Sequence, residues 1–185
     1  MTLFCANGRG DSLVVEGRVV SPTQGIDAAL RITVTDGVIS TIEPAGASGL
    51  VVSPAFIDPH VHLRTPGRED EETLRSGTEA AAAGGYCAIL AMPNTDPIVD
   101  SAAVLGALVE RAREEAAVPT GFMAAISKGQ RGEELTEMVE LAAAGVELID
   151  EIQSPESMGG YRWFHIRGPD GNVYAIVEGS NALRR

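Results

Sequence analysis

The sequence predicts an α/β protein whose central part holds about four strand–helix units of a parallel sheet. Short apolar runs alternate with helical segments at a spacing of roughly 30 residues, which is typical of βαβ units. A valine-rich stretch of alternating polarity precedes them, and an aromatic-rich tail follows. We therefore divide the chain into a small β-subdomain (residues 1–52), a partial barrel domain (residues 53–150) and an atypical tail with a β-hairpin (residues 151–185).

Two features of its sequence predict the β-subdomain. Residues 13–20 read LVVEGRVV, and residues 31–43 contain two alternating runs on either side of Asp36 and Gly37. An Asp-Gly pair between alternating runs indicates a hairpin turn. Residues 1–10 are polar and glycine-rich, and we expect them to be frayed.

Alternating strands and helices are predicted for residues 53–150. The expected strands cover residues 54–58, 86–92, 121–127 and 146–149. The expected helices cover residues 71–83, a segment capped by Asp100 or Ser101, and residues 132–144. Each of the last two helices has one apolar face: Leu105, Leu108, Val109 and Ala112 in the first of them, and Leu135, Met138, Val139 and Ala142 in the second.

Length and charge limit what the protein can be. A complete (β/α)₈ barrel takes about 250 residues, whereas this chain of 185 residues has room for only about half of one after its β-subdomain. The formal net charge is −12, from 14 basic and 26 acidic residues. Nucleic acid and anionic membrane surfaces are therefore not expected partners, because both require clustered Lys and Arg.

Cysteine usage and hydropathy predict a cytoplasmic protein. Cys87 lies in an apolar run and is expected to be a buried free thiol, while Cys5 lies in the N-terminal segment. A structural disulfide is not expected, which favours a reducing compartment. The first residues lack the pattern of a signal peptide, and no run approaches 18 apolar residues, so no membrane span is expected.

A pair of histidines at the end of the first predicted barrel strand indicates a metal site. His60 and His62 are two residues apart, and residues with that spacing in a strand point to the same side. Two imidazoles can therefore converge on one ion, and histidine is a usual zinc ligand. Asp58 can support a ligand through a hydrogen bond. Two surface histidines are the alternative, but their position after a buried strand favours a site.

Two polar side chains near the histidines indicate carboxylate recognition. Arg64 can direct a planar guanidinium fork at a carboxylate. Asn94 follows the neighbouring predicted strand, at the equivalent edge of the sheet. Taken singly, each is equally well explained as a loop residue. The charged run at residues 68–72 can supply a general base, but a solvated helix start is the favoured interpretation.

Four blocks of the sequence resemble one known family. They are PAFIDPHVHLRTPG, EAAAAGGY, AMPNTDPIVDS and AAISKGQRGEEL, which look like successive blocks of dihydroorotase in the cyclic amidohydrolase superfamily. The resemblance covers about residues 12–145. The histidine pair also recurs in hydantoinases and allantoinases, which remain an alternative, but HVHLR combined with MPNT indicates dihydroorotase.

The resemblance implies a fold, a reaction and a set of site residues. The fold is the N-terminal part of an amidohydrolase-type (β/α)₈ barrel. The reaction is the zinc-dependent interconversion of L-dihydroorotate and N-carbamoyl-L-aspartate in pyrimidine biosynthesis. His60 and His62 would bind zinc, and Arg64 and Asn94 would hold the substrate carboxylate. A carbamylated lysine bridges two metals in related enzymes, but from a later strand, so Lys128 is interpreted as a loop residue.

Later elements of the family have no recognisable counterpart in this chain. The family brings an acidic ligand after the fourth strand, two further histidines, and a catalytic aspartate after the eighth strand. Here residues 148–156 read LIDEIQSPE, with neither Asp150 nor Glu151 in the family's register. His165 is the only remaining histidine. Whether the chain itself is active, and which residues would be catalytic, is therefore left open.

Two other hypotheses follow. The chain can be a non-catalytic fragment of a dihydroorotase-like protein that acts through a partner, either a second copy or an aspartate carbamoyltransferase-type chain. The tail at about residues 158–179 also resembles, more weakly, the last hairpin of a glyoxalase-like (vicinal-oxygen-chelate) domain. Ala175 stands where that family often has a metal-binding glutamate, so this hypothesis ranks last.

Overall fold

Two compact units make up the chain in this computed structural model. One comprises residues 7–56, and the other comprises residues 1–6 with 57–185. The structure describes residues 3–6, 12–46 and 48–144, and the backbone of 162–167 and 173–178. Within these ranges no helix is long and apolar enough to cross a membrane.

The first unit is a four-stranded β-sheet. Its strands are β1 (Leu13–Ser21), β2 (Ile26–Thr35), β3 (Val38–Pro44) and β4 (Val51–Val52), in the order β3-β2-β1-β4. The pairs β1–β2 and β2–β3 are antiparallel, and β1–β4 is parallel. Asp36 and Gly37 form the turn between β2 and β3 with positive φ angles of 51° and 75°, which the tight hairpin turn requires. The predicted hairpin is therefore confirmed.

The second unit contains the predicted alternation of strands and helices. Its elements are β5 (Phe56–Val61), α1 (Leu74–Ala83), β6 (Tyr86–Ala91), α2 (Ala102–Glu115), β7 (Thr120–Phe122) and α3 (Met138–Ala143). The strands form one sheet in the order β5-β6-β7. Strands β6 and β7 are parallel and are joined through α2. The sheet and its helices confirm the predicted α/β partial barrel.

Capping residues determine where the first two helices begin. Helix α1 begins at Leu74, three residues later than predicted, because Thr73 and Ser76 form a capping box in which each side chain accepts a hydrogen bond from the other's backbone N–H, both at 3.0 Å. Ser101 caps α2, as one of the two predicted alternatives. The apolar face predicted for α2 is confirmed, since all four of its residues are buried.

The core of the second unit lies between this sheet and the inner face of α2. The main contributors are Leu74, Ile89, Leu105, Leu108, Val109, Ala112, Phe122 and Leu141. Burial of a large aliphatic side chain contributes about 1.5–3 kcal/mol. This packing holds the carboxyl ends of the strands in place, and the candidate site lies at those ends.

The predictions for the third strand and third helix were partly wrong. Strand β7 ends at Phe122 rather than at residue 127, and α3 begins at Met138 rather than at residue 132. Two residues of the predicted apolar face are exposed, Leu135 at 47% and Val139 at 85%. Leu141, which was not part of that predicted face, is only 1% exposed. The helix is only six residues long, and a start at Met138 turns a different side of it towards the core.

The N-terminal segment is not frayed where the structure describes it. The backbone groups of Phe4 and Thr120 exchange two hydrogen bonds of 2.9 Å, and the Phe4 ring lies 5.1 Å from the guanidinium of Arg113. Cys5 is half-buried and donates to the carbonyl of Ala116. The prediction of a frayed start was therefore wrong for residues 3–6, because Thr120 of strand β7 and the carbonyl of Ala116 both bind this segment.

Cys87 is exposed, although it lies in an apolar run. In β6 the four residues from Ala88 to Ala91 are buried, but the first two are not. The expectation of a buried thiol was wrong because the core begins one residue later in this strand. Cys5 and Cys87 are both free thiols.

A β-hairpin is present in the tail, as predicted. Strands β8 (Arg162–Arg167) and β9 (Val173–Glu178) pair antiparallel, with His165 opposite Ala175. The predicted fourth strand at residues 146–149, together with Asp150 and Glu151, lies outside the described residues.

Candidate metal and carboxylate site

The histidine pair lies at the carboxyl end of β5. This strand continues to Val61, beyond the predicted end at residue 58, so His60 belongs to the strand and His62 follows it directly. Both side chains are exposed to solvent. The backbone N–H of His60 donates to Oδ1 of Asp58 at 3.0 Å. Asp58 therefore holds the backbone at His60 rather than an imidazole nitrogen.

The two imidazole rings are spaced as one zinc ion would require. Their centroids are 5.2 Å apart and the ring planes are inclined at 69°. Two imidazoles bound to one tetrahedral zinc at the usual Zn–N distance would have centroids about 5 Å apart. The ring separation therefore meets one geometric condition for two imidazoles on a shared zinc ion.

Asn94 contacts His62 across the two strand ends. The backbone N–H of Met92 donates to the carbonyl of Val61 at 2.8 Å, which brings the loop after β6 beside the loop after β5. Nδ1 of His62 lies 2.8 Å from Oδ1 of Asn94. Because the amide oxygen can only accept, Nδ1 carries the proton and donates it. The lone pair of the neutral imidazole is then on Nε2, the nitrogen left to bind a metal.

A glycine allows the two loops to approach closely. Gly67 has φ +100°, and a Cβ at this position would overlap the carbonyl of Asp96. The backbone N–H of Asp96 donates to the carbonyl of Pro66 at 3.0 Å. Buried Thr65 accepts a hydrogen bond from the N–H of Leu74 at 3.0 Å, which ties the first loop to α1. The loop that carries Arg64 is thus fixed on two sides.

Arg64 is paired with a carboxylate of its own loop. Its Nε lies 3.3 Å from Oε2 of Glu71, and the other oxygen of that carboxylate contacts Nη2 of Arg68. The Arg64 and Glu71 side chains are 34% and 38% exposed, so solvent reaches both. Arg64 follows His62 by two residues in the chain, and its role in holding a carboxylate stays a prediction. The sequence did not predict its ion pair with Glu71.

Glu69 connects the same loop to α2. Its carboxylate accepts hydrogen bonds from the backbone N–H of Gly67 at 2.9 Å and from Nη1 of Arg111 at 3.1 Å. Arg111 also pairs with Glu115. Partial desolvation acts to raise the pKa of Glu69, but hydrogen bonds from its own and the Gly67 backbone N–H and from Arg111 outweigh it and place the pKa below its ordinary value.

The charged run at residues 68–72 precedes the helix rather than starting it. Because α1 begins at Leu74, the helix dipole is not the reason for these charges. Instead, Glu69 and Glu71 form ion pairs that shape the loop. The sequence favoured one solvated helix start for this run. A single arginine followed by four acidic residues gave no signal of the ion pairs that the structure shows.

Among the described residues, Lys128 contacts two glutamates and no candidate metal ligand outside them. Its ammonium pairs with Glu134 at 2.5 Å and Glu137 at 3.5 Å. The hydrogen bond to Glu134 is the main reason why the pKa of Lys128 is raised. Carbamylation requires the unprotonated amine, so this environment disfavours it, in agreement with the interpretation as a loop residue.

Among the described residues, the site has two metal donors and not a complete set. No group of three or more His, Cys, Asp and Glu side chains that could hold a metal ion occurs there. Catalytic zinc sites usually have three protein ligands. The described part of the chain therefore provides a pair of histidines, a supporting amide and a guanidinium at one edge of a sheet.

The described strands and helices have the fold of part of an α/β barrel. Its structure is similar to that of the L-hydantoinase (dihydropyrimidinase) from Arthrobacter aurescens, with a TM-score of 0.59 and 22% sequence identity. The match covers 74% of this chain and 32% of the hydantoinase. At this identity the likeness shows the fold alone.

Comparison with other protein sequences identifies the family of this chain. The model of the Dihydro-orotase-like family matches residues 49–154, more than half of the chain. The dihydroorotases of Citrifermentans bemidjiense, Solibacter usitatus and Acetivibrio thermocellus are 42%, 43% and 39% identical over 153, 152 and 152 residues. The chain belongs to the dihydroorotase-like family. Each alignment covers 77% of this chain, and the chain spans only about a third (35–36%) of the length of these relatives.

Proposed function

We propose that the chain carries the first part of a dihydroorotase-type zinc site, which acts on L-dihydroorotate and N-carbamoyl-L-aspartate. The observation that supports it best is the contact between His62 and Asn94, because it joins the candidate metal ligands to the candidate carboxylate pocket. In this proposal His60 and His62 hold the zinc ion, and Arg64 and Asn94 hold the substrate carboxylate.

Each of these residues has a role that follows from its chemistry. A bound zinc ion would polarise the ring amide carbonyl and lower the pKa of a water molecule. His62 presents Nε2 because its Nδ1–H donates to Asn94. The amide nitrogen of Asn94 keeps two N–H donors for a carboxylate, and Arg64 contributes a positive charge beside it.

Catalytic activity requires a third protein ligand for the zinc ion. The described donors number two, and a catalytic zinc usually needs a third protein ligand. Asp150 and Glu151 lie outside the described residues, and we assign neither as a ligand. A non-catalytic dihydroorotase-like fragment that acts through a second copy or an aspartate carbamoyltransferase-type partner is the alternative.

The wider expectations are part of the same proposal. We propose a cytoplasmic location, and domain boundaries at residues 52/53 and 150/151. We expect no nucleic acid partner, because the net charge is −12.

Zinc binding by the purified 185-residue chain tests the proposal. Metal content after dialysis and competition with a chromogenic chelator would measure stoichiometry and affinity, and we expect His60→Ala and His62→Ala each to lower the affinity by more than tenfold. His165→Ala is the matched control and should bind as the unmodified chain does. Equal zinc binding by all four proteins would refute the metal site.

Hydrolysis is measured separately with zinc-loaded protein. Loss of dihydroorotate above a blank, with hydantoin as the comparison substrate, would establish the activity and its preference. Bound zinc without turnover of either compound would establish the non-catalytic alternative.

A further inference from the structure

We infer that Glu71 is a built-in competitor for the guanidinium of Arg64 and thereby sets the affinity of the site for a carboxylate ligand. The inference rests on the proposed function in one respect, since it takes Arg64 as the group that recognises the carboxylate. It adds a residue that determines how tightly and in which geometry a small dicarboxylate is held.

The ion pair occupies one particular edge of the guanidinium. Oε2 of Glu71 lies 3.3 Å from Nε of Arg64. A carboxylate binds an arginine in a bidentate manner through two parallel N–H groups, and the edge that includes Nε is the one Glu71 already faces. A ligand carboxylate is left with the end formed by the two terminal nitrogens, or it must displace Glu71.

Glu71 is held in this position from a second side. Its other oxygen, Oε1, contacts Nη2 of Arg68. The carboxylate thus lies between the guanidinium groups of Arg64 and Arg68. Among the described residues, Glu71 is the only ion-pair partner of Arg68. Arg68 therefore continues to hold this carboxylate beside Arg64 when a ligand is present.

A ligand on Arg64 would be close to a charge of its own sign. Two carboxylates on one guanidinium are separated by roughly 5 Å, a distance at which partly exposed like charges still repel measurably. Both side chains are about one-third exposed, so a small ligand can reach Arg64 and the repulsion is only partly screened by water. Neutralising residue 71 should therefore strengthen carboxylate binding.

The test is a calorimetric titration of the full 185-residue chain with N-carbamoyl-L-aspartate, in buffer that contains EDTA. Glu71→Gln removes the competing charge, and we expect it to bind the ligand about fivefold more tightly than the unmodified chain. Glu72→Gln changes the net charge equally, but Glu72 is not an ion-pair partner of Arg64 in the described structure, so its affinity should stay within about twofold. Arg64→Gln combined with Glu71→Gln should abolish the gain.

Several results would overturn the inference. They are unchanged or weaker binding by Glu71→Gln, an equal gain in Glu72→Gln, a gain that survives the loss of Arg64, or no binding by any of the proteins. Weaker binding would mean that Glu71 fixes Arg64 in a productive position. Urea unfolding of each variant shows whether it is folded.

The metal-free buffer separates this inference from the proposed function. If Glu71→Gln binds the ligand more tightly but the chain binds no zinc, the competitor role stands and the zinc site falls. If zinc binds and the Glu71 variant gains nothing, the competitor role falls and the zinc site stands.

Discussion

Nδ1 of His62 lies 2.8 Å from the side-chain oxygen of Asn94, although 32 residues separate them in the chain. With the amide oxygen of Asn94 facing the ring, this contact favours the neutral tautomer that carries its proton on Nδ1 and its lone pair on Nε2. It also joins the loops that follow β5 and β6, each of which carries one part of the candidate site. The contact therefore couples the orientation of a candidate metal ligand to a residue of the candidate carboxylate pocket.

Removal of the Asn94 side chain should weaken metal binding without removing a metal ligand. In Asn94→Ala the His62 ring loses the partner that orients it and selects its tautomer, and the loss of such a partner typically costs about 10–100-fold in metal affinity. Chelator competition with zinc measures the effect. Asn94→Asp keeps an acceptor and should retain most of the affinity, so equal losses in the two variants would contradict the orienting role.

Gly67 should tolerate no side chain. At φ +100° a Cβ would overlap the carbonyl of Asp96, so Gly67→Ala should lower the free energy of unfolding by about 1–3 kcal/mol. Gly106 is the matched control, because it lies within α2 and a Cβ there would meet nothing within 4 Å. Gly106→Ala should stabilise the protein by about 0.5–1 kcal/mol. Urea unfolding measures both, and a neutral Gly67→Ala would contradict the close approach of the two loops.

The side of α3 that faces the core is testable with two neighbouring residues. Leu141 is 1% exposed and Val139 is 85% exposed. Leu141→Ala should destabilise the protein by about 2–4 kcal/mol, whereas Val139→Ala should change the free energy of unfolding by less than about 0.5 kcal/mol. If the Val139 variant were the more destabilised of the two, the apolar face read from the sequence would be the buried one after all.

The Glu69–Arg111 pair should contribute a stability that depends on pH. Since the pKa of Glu69 is lower in the folded protein than in the unfolded chain, the pair stabilises the fold above the unfolded pKa of about 4.3. This contribution is lost as the pH falls through the lower, folded pKa. The difference in urea midpoint between the unmodified chain and Glu69→Gln should be largest near neutral pH and should vanish in strong acid.

A matched variant controls for the general effect of charge in that comparison. Asp70→Gln removes a carboxylate from the same loop, but Asp70 forms none of the ion pairs found among the described residues. Its midpoint should differ little from that of the unmodified chain near neutral pH. A pH-independent difference for the Glu69 variant would show that Glu69 acts through packing rather than charge.

Local sequence determined most of the secondary structure, and did so best where the signals were strong. Asp36 and Gly37 predicted the hairpin between β2 and β3 because only a few residues adopt positive φ at low cost. The face of α2 was predicted because four apolar residues at helical spacing bury together over fourteen residues. The six-residue α3 was predicted less well, since a short helix has too few turns for its periodicity to define a face.

The sequence also selected the residues of the candidate site, although it did not predict their partners. His60, His62, Arg64 and Asn94 were selected because these polar side chains follow apolar runs that were predicted to be buried strands, at the edge where such sites form. Strand β5 itself has no buried residue in the structure. The pairing of His62 with Asn94, and of Arg64 with Glu71, depends on how two loops lie beside each other. No property of either residue alone predicts such a contact.

What the sequence determined by itself is the order of the elements, the family and the types of residue at the site. The tertiary structure alone decided which groups are already engaged. It gives His62 an amide partner, gives Arg64 an internal carboxylate, and exposes Cys87 within an apolar run. The physical reason is that periodicity and spacing describe neighbours along the chain. The partner of His62 and the burial of Cys87 depend instead on which segments, distant in sequence, pack beside them.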